Sequence, residues 1–405
     1  MSINRSASRP AGFASVAALL LLAATTALTA PVHVWEKVEI TLLATNTYGN
    51  PYTDAQVWVE LNGPGFARRC YGFWDGGNTF RVRVLATTPG HWHWRSGSEP
   101  ADPGLAGHSG AFEAVSWTDT EKQANICRRG NLRATANGHA FELADGTPFF
   151  LLGDTWWATP TFRFRWRDDD APRSVGPDAG FKDFVRFRRQ QEFNCIALIA
   201  ALPNWANDGH PANLTLADGT VLRSAWREAG TDRAKNMTNE FGQRAFLFPG
   251  KVPGFETVFP DVERLNPAYF QTLDGKMDYL NAQGFIPFIE VARRDIGQAW
   301  KRFWEVIQWP SADQMRHLKS FLLSEGRRYQ ELEPATNAVS PNRSGKPNGL
   351  TGWAYAARTS GRDLFLLYFE QDCPSATLTG ARPGGQIGRD GSIRAPASGL
   401  TRSAV

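Results

Sequence analysis

The residues best placed to do chemistry in this sequence are carboxyl groups at the ends of apolar runs. Asp154 follows Phe149–Leu152 and precedes Trp156 and Trp157; Glu290 closes the run from Phe285, and Asp295 stands just beyond Arg293 and Arg294. Two carboxyl groups held in different protonation states can act as acid and base. When they flank a glycosidic bond, a gap of about 5 Å gives retention of configuration and about 6.5–9.5 Å gives inversion. Trp156, Trp157 and Trp205 offer flat faces to the C–H face of a sugar, and Asn204 sits beside Trp205. Arg293 and Arg294 could grip an acidic sugar through paired N–H donors. Each group also has a plainer role. A strand-end Asp can cap the next turn, Glu290 can pair with Arg293, and large aromatics fill cores. No residue is therefore assigned as catalytic, and Asp154 and Glu290 are only weak candidates. The substrate-binding set is Asp154, Trp156, Trp157, Asn204, Trp205, Glu290, Arg293, Arg294 and Asp295.

Other chemistries lack their residues. The sequence has no Gly-rich phosphate loop, no His-Glu-x-x-His and no Gly-x-Ser-x-Gly elbow. The net charge of +4, from 44 basic and 40 acidic residues, is too balanced to imply a nucleic-acid partner. No cofactor is expected. Four cysteines (Cys70, Cys127, Cys195, Cys373) lie far apart without a Cys-x-x-Cys pair. They allow three disulfide pairings and favour no metal site. His91 and His93 alternate with Trp92 and Trp94, which predicts a solvated His face over a Trp-packed core. Arg186, Arg188 and Arg189 form a basic run, expected on a solvated helix face. The 15 Trp point mildly towards carbohydrate.

The elements that must position these groups fall into blocks. Residues 1–30 read as a signal peptide: Arg5 and Arg9 precede an uncharged stretch from Gly12 to Ala30. The expected location is secreted or periplasmic, with a membrane anchor if that segment stays uncleaved. Residues 31–118 show short strands (Lys37–Ala44, Gln56–Leu61, Phe80–Leu85, His91–Trp94) with turn signals between them, the pattern of an immunoglobulin-like β-sandwich. Residues 122–308 open with hairpin signals at Asn137-Gly138 and Asp145-Gly146. Strand–helix alternation comes next, with strands Phe149–Leu152, Cys195–Leu202 and Phe285–Glu290. The helices run from Phe181 to Gln191 and from Asn266 to Gly284, the latter with Phe270, Leu273, Met277 and Leu280 on one face. Such alternation means parallel strands, as in a TIM-type barrel. The long loop Pro203–Leu265 would sit at the catalytic face of a barrel. Residues 309–380 carry a helix capped by Ser311 and two strands, Gly352–Arg358 and Leu364–Glu370; residues 381–405 read as a disordered tail. A full eight-unit barrel takes roughly 250 residues, and only three strands fit here. The expected fold is multidomain β plus α/β: a sandwich, an incomplete (β/α) barrel and a small C-terminal β element.

The same residues resemble a known family. Val34-Trp35-Glu36-Lys37-Val38-Glu39-Ile40-Thr41 and Tyr71-Gly72-Phe73-Trp74-Asp75-Gly76-Gly77 are similar to the immunoglobulin-like domain attached to apiosidase-like glycoside hydrolases. Phe150–Trp157, Phe193–Ala197 and Phe288–Asp295 resemble the first three barrel strands of those enzymes. Trp309–Met315 and Tyr368-Phe369-Glu370 resemble the small C-terminal β-domain that lies beyond their barrel. The resemblance implies a sugar-binding Asp154 at the pocket base, with Trp156 and Trp157 as walls. It also implies a retaining-type Asp and Glu on later strands, for which this sequence has no positions, because Gln298–Lys301 lies almost against Trp309-Pro310. The simplest account is an internal deletion, natural or from sequence assembly. The expectation is a glycoside-hydrolase-family protein directed at plant cell-wall (pectic) polysaccharide, with impaired or no catalysis. The alternative is a non-catalytic carbohydrate-binding or adhesive protein.

Overall fold

The computed structural model describes residues 31–201, 213–215, 219, 221–223, 238–251, 253–254, 256, 260–292, 308, 310–343 and 351–382. Residues 1–30 and 383–405, expected as signal and tail, lie outside them, as do Asn204, Trp205, Arg293, Arg294 and Asp295.

The N-terminal part is two sheets packed on a shared core. One has the order β1-β8-β7-β3-β4 and the other β2-β6-β5. The ranges are β1 Val32–His33, β2 Lys37–Leu43, β3 Gln56–Gly63, β4 Phe66–Tyr71, β5 Phe73–Trp74, β6 Thr79–Leu85, β7 Gly90–Glu99 and β8 Ser109–Val115. Alternation sets the faces. Ile40 and Leu42 of β2 register with Val82 and Phe80 of β6 and turn inward, while Glu39 and Thr41 register with Arg83 and Arg81 outside. Trp92 is fully buried between exposed His91 and His93, as the alternating pattern predicts. Asp102, 1% exposed, ties the loops together. Its carboxylate accepts from Thr45 N (3.0 Å) and Oγ1 (2.7 Å), Asn46 N (3.0 Å), Tyr48 Oη (3.0 Å) and Gly104 N (2.8 Å).

A small antiparallel sheet comes next: β9 Leu132–Ala134, β10 Phe141–Leu143 and β11 Pro148–Phe149. The glycines of both predicted turns, Gly138 and Gly146, have positive φ. The first parallel strand is not Phe149–Leu152 as expected. Phe149 belongs to β11, and the chain turns before β12, Gly153–Thr155. Asn194 fixes that turn by accepting from Leu152 N (2.9 Å) and donating to Phe150 O (2.8 Å).

β12, β13 (Cys195–Ala201) and β18 (Ile286–Ala292) form a three-stranded parallel sheet in that order. Between β13 and β18 come the hairpin β14 (Asn213–Thr215) and β15 (Val221–Arg223), and the pair β16 (Phe246–Leu247) and β17 (Asp261–Leu265). The long segment is thus partly folded, and Phe246 joins the core. Short helices α1 (Pro51–Asp54) and α2 (Asp119–Ala124) precede α3 (Phe181–Gln190), which supplies Phe181, Phe184 and Val185 to that core. Each such burial contributes about 1.5–3 kcal/mol. α4 (Pro267–Ala282) starts at the predicted Pro267 and ends before Gly284, whose positive φ suits a helix stop. Its buried side is Tyr269, Leu273, Lys276 and Leu280, with Phe270 and Met277 half-buried. α4 also meets the sandwich. Asp274 takes two bonds from Arg83 (3.0 and 2.6 Å), and Asp278 takes Lys37 Nζ at 2.7 Å.

β18 is the outer strand of the parallel sheet among the described residues, with Phe288 62% and Val291 79% exposed. α5 begins at Pro310 and runs to Leu323, so Ser311 lies inside the helix rather than capping it. The C-terminal part has one sheet of β19 (Glu333–Pro334), β21 (Ala354–Arg358) and β22 (Phe365–Phe369). A further pair is β20 (Val339–Ser340) with β23 (Thr377–Leu378). The architecture is multidomain β plus α/β with several sheets, and the described residues contain no closed barrel.

Candidate functional site

Asp154 lies in the middle of β12, and Arg188 reaches it from the inner face of α3. The carboxylate Oδ2 accepts from Arg188 Nε (2.8 Å), Arg188 Nη2 (2.6 Å) and the Trp156 indole Nε1 (2.7 Å). Oδ1 accepts from the Thr155 backbone N (2.8 Å). Arg188 is 6% exposed, donates onward to Gln191 Oε1 (2.7 Å) and lies 4.2 Å from the Phe193 ring centroid. Burial pushes its guanidinium below the ordinary arginine value, and the Asp154 charge opposes that shift. This corrects the expectation of a solvated basic face. Arg188 continues the Phe181, Phe184, Val185 stripe at helical spacing, so it must point inward. The stripe was the signal in the sequence; the three neighbouring charges obscured it.

Trp156 is 3% exposed, stacked on Phe164 (5.1 Å) with Phe181 and Phe184 edge-on (6.2 and 6.3 Å). It stands in the core, with its N–H aimed at Asp154. Trp157 is half-buried against the same core. The segment after Trp157 is held by a buried ion pair that the sequence did not announce. Lys276 of α4, fully buried, donates to Thr159 O (3.0 Å) and Glu240 Oε2 (3.2 Å), and Glu240 also accepts from Trp166 N. Burial lowers the lysine, Glu240 opposing; burial, with the Glu240 charge second, raises the Tyr269 hydroxyl.

Glu290 sits on β18 in register with Ile199, whereas Asp154 registers with Ile196 and, through it, Pro287. The three-residue offset is odd, so the two side chains leave opposite faces of the sheet. Their backbones are also about 10 Å apart along the strands and nearly 10 Å across them, by standard strand spacings. The sheet therefore does not bring Asp154 and Glu290 together as an acid–base pair. Asp154 faces the helix layer with Arg188, and Glu290 shares the other face with Thr155, Ala197 and Phe288. Among the described residues no group of three His, Cys, Asp or Glu could hold a metal ion. Cys70, Cys127, Cys195 and Cys373 are all free thiols.

A multidomain β plus α/β chain whose parallel strands carry Asp154 and Glu290 on opposite faces leaves its class open. The comparisons narrow this. Residues 135–337 match the family described as "Apiosidase-like, catalytic domain", half of the chain. The chain belongs to this apiosidase-like family of glycoside hydrolases. Residues 31–99 match a domain of unknown function, DUF5060. No curated protein sequence matches the chain. Among solved structures it is similar to a candidate glycoside hydrolase from Bacteroides vulgatus ATCC 8482, at 17% identity and a TM-score of 0.43, covering 73% of this chain and 47% of that one. The chain thus spans about half the length of that structure. A second structure, named as a glycoside hydrolase, is 12% identical with a TM-score of 0.28, covering 59% of this chain and 83% of that one.

Proposed function

We propose that this protein is directed at plant cell-wall (pectic) polysaccharide and turns it over poorly or not at all. The carrying observation is the opposed orientation of Asp154 and Glu290 on a three-stranded parallel sheet. Hydrolysis needs two carboxyls facing one bond, and this sheet offers its pair to different sides. On this reading the N-terminal sheets are an immunoglobulin-like sandwich, at residues 31–118. Residues 122–308 are the opening units of a TIM-type barrel, and 309–380 are the C-terminal β element. The N-terminal 30 residues would export the chain, to the medium or the periplasm. Glu290, Thr155 and Trp157 are the described groups we assign to sugar contact, and Asp154 orients Trp156 rather than attacking substrate.

The test is end-product analysis. The purified full chain, incubated with a panel of pectic polysaccharides and oligosaccharides, should release no new reducing ends, and Glu290→Gln should change nothing in that assay. Steady turnover that Glu290→Gln abolishes would overturn the proposal. Tryptophan fluorescence titration with the same panel should still report binding; a flat response across the panel would sink the carbohydrate reading itself.

A further inference from the structure

We propose that the outer face of the β19–β21–β22 sheet is a docking platform for a neutral pyranose glycan, separate from the parallel-strand site. The inner face of this sheet is an ordinary small core: Ala354 (0% exposed) and Ala356 (5%) pack with Val339. The outer face carries rings where a free-standing sheet would carry polar groups. Tyr355 and Tyr368 are direct cross-strand partners, 43% and 59% exposed, with ring centroids 6.2 Å apart and planes 27° from parallel. Trp353, two residues before Tyr355 and so on the same face, continues the row at 6.4 Å and 22°.

The rim of this row is polar and of both signs. Arg343 bridges directly opposite Trp353, with its guanidinium carbon 5.3 Å from the ring centroid. On the other flank the Glu370 carboxylate accepts from Trp353 N (3.2 Å) and from Tyr355 Oη (3.5 Å). An exposed aromatic pair stabilises a sheet by only about 0.2–1 kcal/mol, which does not account for a third ring or for the bracketing charges. A pyranose chain fits both features. Its C–H faces lie on rings whose spacing is close to one sugar unit, and its vicinal hydroxyls can accept from Arg343 and donate to Glu370. The charges choose among glycans. A polyuronate or a nucleic acid gains at Arg343 and loses at Glu370, whereas a neutral chain satisfies both. The inference rests on the family's being glycan-directed, not on hydrolysis or on the parallel strands.

The experiment is native affinity electrophoresis of the full chain in gels containing soluble galactan, xyloglucan, hydroxyethylcellulose or polygalacturonate. Retardation is expected in at least one neutral gel. The double variant Tyr355→Ala/Tyr368→Ala should weaken it at least about tenfold with a melting temperature lowered by a few degrees at most. Tyr355→Phe/Tyr368→Phe, which keeps the rings, and Tyr52→Ala, at another exposed tyrosine, should leave it intact. Undiminished retardation of the double alanine variant overturns the platform while leaving the glycan-directed reading standing. Retardation by polygalacturonate alone overturns the neutral assignment, and none in any gel overturns both.

Discussion

Arg188→Met is the substitution that most directly tests whether Asp154 is a counter-ion held in the fold. It leaves the Asp154 carboxylate with two donors, the Trp156 indole and the Thr155 backbone N–H. Deleting one partner of a buried pair costs about 3–5 kcal/mol. The Asp154 side chain keeps 22% exposure, so solvent screens part of the stranded charge and the lower end, about 3 kcal/mol, is expected. With a urea m-value of about 1–3 kcal/mol/M, the unfolding midpoint followed by Trp fluorescence should fall by about 1 M or more. Asp154→Asn should cost less, since the amide oxygen can still accept from Arg188. The double variant should fall short of the sum of the singles by about 1–3 kcal/mol, the coupling expected of side chains in contact. If each single change moves stability by under about 0.5 kcal/mol and the two simply add, the pairing argument fails. A variant that folds with unaltered stability but loses glycan binding would instead restore Asp154 as a ligand group.

Lys276→Met should destabilise the chain by about 3–5 kcal/mol by stranding Glu240 in the core, and Lys276→Met/Glu240→Gln should recover most of that in a thermal melt. Asp102 predicts a pH effect confined to acid. Burial alone would raise its carboxyl, but hydrogen bonds from Thr45, Asn46 and Gly104 outweigh burial and hold it well below the usual range. Its folded value is the lower one, so its stabilisation is present above about pH 3.9 and is lost as pH falls below that. Melting temperatures from pH 6 down to about 2 should therefore drop more steeply for the wild type than for Asp102→Asn; parallel curves would contradict this. Asp274→Asn/Asp278→Asn, which removes the acidic partners of Arg83 and Lys37, should loosen the sandwich against α4. Limited proteolysis in low salt should cut the variant faster between the two, and added salt should narrow the difference.

Much of this architecture was readable in the residues, and the failures share a cause. Strands β2, β3 and β6, and the body of β7, follow from alternation, because a half-buried sheet repeats every two residues and says so locally. α4 was legible from Pro267 and Gly284, and Leu273 and Leu280 of its expected face are buried, while Tyr269 and Lys276 join them and Phe270 and Met277 are half-buried. Lys276 is buried there because the fold brings Glu240, 36 residues away, close enough to pair with it. Arg188 is the same case: its spacing with Phe184 was visible, but its partner lies on a strand 34 residues away. The opposed faces of Asp154 and Glu290 depend on register, and register is a property of paired strands that neither strand carries alone. Phe149–Leu152 does not form one strand, because composition marks an apolar run without marking which neighbour it pairs with.

The outward-turned Phe288 and Val291 on β18 bear on how the protein behaves in quantity. Exposed apolar side chains on the strand that is outermost among the described residues offer another copy a surface to pair with, and each addition presents the same surface again. Loss of soluble material should then scale with concentration rather than temperature, so dilute expression and a charged residue at 291 are the routes to a well-behaved sample.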